Sequence, residues 1–419
     1  MGTLMLGTPW NRVGEAFGRW TSWLAVMGLW AAVPGSAQQV WLVSGQNPTA
    51  ARVLKISESG VVFEGVGHVG WEEFVAWGAA AEYTSGVATV LGDGSMIVSN
   101  AGHIRADTWT IDPVETPWRS RSAWSHVSCA RSSLAGVVVR PSAIVMQQDR
   151  LLEELIGGVS ERDRLLLANG DVVEGEWIDW ASDSRQSLLK MQTAAGLMAV
   201  PEEQAVAVMT VHSTIESASP LFVMGFRDGS LVRVYRVSTD ADGYTLALNG
   251  GVAGLRSDRI DQVCYLRSCR APVKYLSELS PTGYRHLPFF SLNWSYQVNR
   301  SVLGGRIRSR AGWYDLGVGL HATCRIAYAI PRNAQRFECG VAIDPSAGSL
   351  GSATVRFYVQ RGGAFQLEKQ ITVLAAEKSP EFLTVDVHGA EQLAIIVDSA
   401  DGWDVGDRVN LILPRFVFE

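Results

Sequence analysis

Two runs of strict alternation, joined by one polar connection, constrain this chain more than any other feature. From Thr323 to Ile330, the residues Cys324, Ile326, Tyr328 and Ile330 point one way and Thr323, Arg325, Ala327 and Ala329 the other. From Arg336 to Ile343, the set Phe337, Cys339, Val341 and Ile343 repeats the pattern. A period of two marks a strand with one buried face. The short connection Pro331-Arg332-Asn333-Ala334-Gln335 predicts that the two strands form an antiparallel hairpin. Residues that strand formation does not need sit at the ends: Trp313, Tyr314 and His321 before, Asp344 and Ser346 after. In a β-sandwich such positions fall in loops, where ligands are usually held.

Upstream the chain repeats itself around its turns. Asp93-Gly94-Ser95, Asn169-Gly170-Asp171 and Asp228-Gly229-Ser230 each lie between two apolar runs, which predicts hairpins. A similar phrase closes each unit, beginning at Gly136, Gly196 and Gly251. An earlier, more degenerate copy runs from Val40 to Gly78 with a turn at Ser57 to Gly60. Repeats of this period predict tandem modules whose neighbours cover each other's open faces. Leu151, Leu152, Leu155 and Ile156 share one face of a helix starting near Gln147, with Asp149, Glu153 and Glu154 outside and Gly157-Gly158 as its stop.

The C-terminal blocks carry a specific resemblance. They run in order: Gly317, Gly319-Leu320-His321-Ala322, Arg325-Ile326, Tyr328, Arg336-Phe337, Cys339-Gly340-Val341, Ile343-Asp344, Gly351 to Phe357, and Val385 to Asp398. Tyr275 to Leu279, Pro288-Phe289-Phe290 and Asn299 to Gly305 form the lead-in. This series resembles the NPCBM domain, a carbohydrate-binding module also found attached to family 98 glycoside hydrolases. The resemblance implies a galactose-binding-like jelly roll over residues 273–419. One departure stands out. Where the family usually ends in an Asp-His-Ala-Asp-Trp-Ala-Asp-like segment, this chain reads Gly406 to Pro414, keeping Asp407 but neither the second acid nor the Trp. The upstream units resemble SH3- or Sm-like barrels in pattern only.

The fold class expected is therefore all-β: tandem small β-barrel-like repeats followed by a C-terminal galactose-binding-like jelly-roll sandwich. The expected divisions are a signal peptide at 1–37, a β-rich repeat region of one or two units at 38–146 and a helical connector at 147–160. Small barrel-like repeats follow at 161–212 and 213–272, and the jelly roll at 273–419 should fold alone. Arg12 and Arg19 precede the apolar run Trp23 to Val33, and Pro34-Gly35-Ser36-Ala37 offers small residues for cleavage. That run is too short to span a membrane, which predicts export to the periplasm, the cell surface or the medium. No span is expected after cleavage.

The net charge of −6 gives no electrostatic footprint for nucleic acid. No nucleophile elbow, zinc-protease motif or phosphate loop is present. Non-catalytic carbohydrate binding is the leading expectation, with a glycan as partner. A structural or protein-interaction role, with other surface proteins as partners and sugar binding lost, ranks second; a glycoside hydrolase-like enzyme ranks third. Sugar faces stack on rings while acids or imidazole accept hydroxyl hydrogens, so the candidate contacts are Trp313, His321, Asp344, Trp403 and Asp407. No cofactor is expected beyond a structural calcium, for which Asp398, Asp401 and Asp404 are the candidates. Cys324 with Cys339, and Cys264 with Cys269, are each either bridged or simply packed. Trp177 and Trp180, three apart on one strand, are expected on opposite faces, one of them in the core.

Overall fold

The computed structural model describes residues 38–418, apart from 46–48, 100, 106–107, 113–123, 125–126, 159, 183–186, 213–218, 242, 250–251, 253, 289–291 and 376–378. The expected leader, residues 1–37, lies outside the described residues. The described chain is almost entirely β. No helix among the described residues is long and apolar enough to cross a membrane.

The turn residues do what their chemistry requires. Val87–Leu91 pairs with Met96–Ser99, Asp163–Leu167 with Val172–Ser182, and Phe222–Phe226 with Leu231–Val234, all antiparallel. At the tip of the third hairpin Gly229 has φ +94°, and a Cβ there would sit 2.6 Å from Tyr83 Cα, so the position demands glycine twice over. Each unit then lays its last strand beside its first: Leu134–Val138 on Val87–Leu91, Ala205–Met209 on Asp163–Leu167, and Val263–Ser268 on Phe222–Phe226. The degenerate copy does the same with Phe74–Gly78 on Gln38–Leu42.

The units join through these last strands, but not in sequence order. Leu134–Val138 pairs with Ala205–Met209, while Val263–Ser268 pairs with Phe74–Gly78, bringing the last unit onto the first. One hydrophobic cluster runs through all of them, from Val40 to Leu266. Trp177 and Trp180 are both buried in it, packed with Trp109. A register shift between Trp177 and Asp179 resets the alternation and turns both rings to one side.

The helix Val145–Gly157 buries Leu151, Leu152 and Leu155 as its pattern predicts. Asp149, expected outside, is only 2% exposed. Its burial is compensated: Asp149 accepts from Arg308 Nη1 at 2.6 Å, from Nη2 at 2.9 Å and from the Arg306 backbone N at 2.8 Å.

Residues 273–418 form a two-sheet sandwich. One sheet runs Gln297–Val298, Gly317–His321, Arg408–Phe418, Ala334–Ile343 and Glu381–Asp386, with Val273–Tyr275 also on Arg408–Phe418. The other runs Gly283–His286, Cys324–Ala329, Gln392–Ser399, Ser352–Arg361 and Ala364–Leu374. The expected hairpin is therefore absent. Cys324–Ala329 pairs with Gly283–His286 and Gln392–Ser399, whereas Ala334–Ile343 pairs with Glu381–Asp386 and Arg408–Phe418. The alternation is correct for both strands, but the polar connection crosses between sheets instead of turning within one.

The cysteine bridges fall with it. All five cysteines are free thiols. Cys324 and Cys339 face the core from opposite sheets, which pack about 10 Å apart, and a disulfide needs Cα atoms within about 7 Å. Cys264 lies on the extended strand Val263–Ser268, which Cys269 directly follows, so the stretch between them is strand and not a closed loop. Five strand residues span about 16 Å, far beyond a disulfide's reach.

The sandwich and the upstream units share a further cluster. Val43, Ala80, Val223 and Tyr265 pack with Tyr275, Trp313, Ile412 and Val417. Residues Gly35–Glu419 form one compact unit.

Candidate carbohydrate site

The strand Gly317–His321 ends at the loop end of the sandwich, and its last residue is the centre of the site. His321 is buried, and its Nδ1 lies 2.6 Å from the Ala322 carbonyl O, which assigns the proton to Nδ1. That leaves Nε2 as an acceptor. Burial holds the His321 pKa below the ordinary histidine value, against the opposing pull of the Ala322 carbonyl and of Asp404. The ring is thus neutral at neutral pH, and Nε2 keeps its lone pair.

A residue outside the sequence expectation completes the face. The half-buried Trp294 ring stacks on His321 with centroids 4.9 Å apart and planes 6° apart. His286 stands edge-on to the same imidazole at 5.9 Å. Its Nε2 lies 3.3 Å from the Ala322 carbonyl, and its Nδ1 accepts from the Trp294 backbone N at 3.3 Å. Trp294 belongs to the lead-in, in Leu292-Asn293-Trp294-Ser295-Tyr296. An aromatic ring in a polar loop is the sequence signal that could have found it.

Asp407 sits behind this pair. Its backbone O accepts from Ala322 N at 3.1 Å, and its Oδ1 accepts from Ser352 N at 2.8 Å. The carboxylate is buried, and Oδ2 has no hydrogen-bond partner among the described residues. Burial, helped by the charges of Asp401 and Asp404, raises its pKa to about 6. Trp403 projects from the adjoining Asp401-Gly402-Trp403-Asp404 turn, 63% exposed, with its backbone N held by Asp401 Oδ1 at 3.0 Å.

Two expected contacts lie elsewhere. Trp313 is buried against the upstream units, exchanging backbone hydrogen bonds with Ala80 and donating Nε1 to the Ala81 carbonyl at 2.8 Å. The Arg306 guanidinium covers its ring at 4.1 Å. Asp344 is consumed internally: Oδ1 accepts from Ser346 N at 2.9 Å and Oδ2 from Asn410 Nδ2 at 2.7 Å. Asn410 in turn donates to the Arg308 carbonyl at 2.9 Å, tying Asp344 to the buried Arg308–Asp149 pair. Loop position alone does not distinguish a ligand contact from an internal dock.

The calcium candidates do not converge. Asp398 accepts from Arg356 Nη1 at 3.0 Å and from Thr323 Oγ1 at 3.3 Å, while Asp401 closes its own turn. Among the described residues no group of three His, Cys, Asp or Glu side chains is placed to hold a metal.

No curated protein sequence matches the chain. Among solved structures, it is similar to the CBM51-2 and INT domains of Clostridium perfringens ZmpB, with 18% identity, 44% of this chain, 40% of that chain and a TM-score of 0.31. The chain thus spans 40% of the length of that relative. It is also similar to the CBM51 of Clostridium perfringens GH95 in complex with methyl-galactose: 20% identity, 34% of this chain, 99% of that one and a TM-score of 0.29. The tandem CBM51 modules of a family 98 glycoside hydrolase from Streptococcus pneumoniae match at 13% identity, 91% and 100% coverage and a TM-score of 0.30. Residues 273–417 match the family model described as the NPCBM/NEW2 domain.

Proposed function

We propose that this chain is an exported, non-catalytic carbohydrate-binding protein whose sandwich takes a glycan end at the loops carrying Trp294, His321, Trp403 and Asp407. The observation that carries this reading is the Trp294–His321 stack, which sets an apolar ring face beside an unprotonated Nε2. A pyranose needs that combination, a ring for its C–H face and acceptors for its hydroxyls. The family match over residues 273–417 supports the same substrate class. Export through residues 1–37 belongs to the proposal, and N-terminal sequencing of the secreted protein tests it.

Calorimetric titration of the full chain with methyl-galactoside and a panel of other monosaccharides tests the site. His321→Ala and Trp294→Ala should each weaken binding about ten- to hundredfold, the loss expected when a buried partner of about 1–3 kcal/mol is removed. Absence of binding to every sugar, or full affinity in both variants, would leave the second reading, a protein-interaction role. The Arg408–Phe418 strand favours that alternative. It is buried from Val409 to Val417, so the segment that departs from the family pattern serves the core.

A further inference from the structure

The second sheet of the sandwich carries a groove of about 620 Å³ on its outer face. Its floor is one register row across four strands: Gly283 opposite Ala327, Ala327 opposite Ala394, and Ala394 opposite Tyr358. Three consecutive small residues lower the floor, and the Tyr358 ring rises at the end of the row. Phe365, 47% exposed, forms the rim beyond it. Neighbouring strands lie about 4.8 Å apart, so the row extends about 14 Å, room for two or three sugar rings laid across the strands.

The next row holds a pair that folding does not explain. Arg285 and Arg325 stand directly opposite each other on adjacent strands, both exposed. Like charges in that relation destabilise a sheet. Arg356, in the same row beyond Ile396, is neutralised by Asp398 at 3.0 Å, but among the described residues no hydrogen bond or ion pair engages Arg285 or Arg325. No acidic residue among the described residues lines the groove. The chain as a whole carries −6, so this is a local concentration of positive charge on an acidic protein.

From this we infer that the groove is a second glycan site, selective for an anionic saccharide. Its sugar rings lie along the small-residue row against Tyr358, and its carboxylate or sulfate groups are held by Arg285 and Arg325. Guanidinium forks match both anions in geometry, and the bound anion removes the repulsion that the empty sheet carries. Gln392, also at the groove, supplies an amide for the hydroxyls. The inference is independent of the loop-end reading, because it uses none of the same residues.

The test is titration of the full chain, at low and at moderate salt, with oligogalacturonate, a sulfated galactan oligosaccharide, a neutral galacto-oligosaccharide and polyglutamate. At least one anionic saccharide should bind, more weakly as salt rises. The carboxylate and sulfate probes show which anion is preferred. The Arg285→Gln/Arg325→Gln double variant should lose at least about tenfold in that affinity while keeping any binding of methyl-galactoside at the loop end. Its melting temperature should hold or rise, since a repulsive pair is removed; a merely structural pair would lower it. Ala394→Trp, filling the row, should abolish binding without the charge change. The inference is overturned if neither anionic saccharide binds, if the double variant binds like the parent, or if polyglutamate binds as tightly as the saccharides.

Discussion

Asp315 accepts Nη2 of Arg267 at 2.6 Å, and the two residues lie on opposite sides of the boundary at residue 273. The Tyr265 hydroxyl donates to the same carboxylate at 2.6 Å. Burial alone would raise the Asp315 pKa, but the Arg267 charge and these hydrogen bonds hold it below the usual carboxylate range. The upstream units and the sandwich are therefore tied by a desolvated ion pair as well as by a shared apolar cluster.

Removing one partner of such a pair leaves a buried charge uncompensated, so Asp315→Ala should destabilise the chain by about 3–5 kcal/mol in urea unfolding. The depressed carboxylate contributes stability above its unfolded pKa of about 3.9, and that contribution is lost as pH falls through the lower folded value. The difference between parent and variant should therefore shrink at acid pH. A constant difference from neutral pH downward would show that the pair is not what holds the boundary.

Asp407 should act with the opposite sign. With a folded pKa of about 6 against about 3.9 unfolded, the native state binds the extra proton and loses stability as pH rises between those values. Asp407→Asn keeps the Oδ1 acceptor for Ser352 N while removing the charge. It should raise stability by about 1–2 kcal/mol near pH 8 and by little near pH 4. Thermal melts across that range decide it.

Trp313 and Trp403 should separate cleanly. Trp313→Ala opens a cavity where the sandwich meets the upstream units and should cost about 3–5 kcal/mol. Trp403→Ala should leave the melting temperature unchanged while weakening glycan binding, because the residue is 63% exposed. A Trp403 variant that binds sugar at full strength would remove that loop from the site.

The protein should keep all five thiols reduced. Intact mass should show no two-hydrogen loss, and alkylation should need denaturant, since burial pushes the Cys129, Cys264 and Cys324 thiols up to about 12. A bridged mass for any pair would contradict the strand placement.

The period-two runs and the Asp-Gly and Asn-Gly turns were legible because both are local, each set by side-chain direction or by a required positive φ. What failed was pairing. Nothing in Pro331 to Gln335 states whether a five-residue connection turns within a sheet or crosses to the facing one, and the cysteine geometry inherited that ambiguity. Asp149 and Asp344 misled for a related reason. Their partners, Arg308 and Asn410, lie far along the chain, and an acid docked on a distant arginine has the same local sequence as a solvated one. His321, Trp403 and Asp407 were chosen by type and loop position, whereas the stacking of Trp294 on His321 is visible only in the structure.

The pairing of the last upstream unit with the first has a consequence for how the molecule is made. Ser268 donates to the Trp71 carbonyl across 197 positions, so the first unit leaves the ribosome long before the strand that completes it. The sandwich docks on both, through Ala80 and Tyr265. Folding must therefore wait on contacts of high sequence separation, which are slow to form. Damage to the segment Gln38 to Gly78 should show up as aggregation or poor yield of the sandwich, which is made after it.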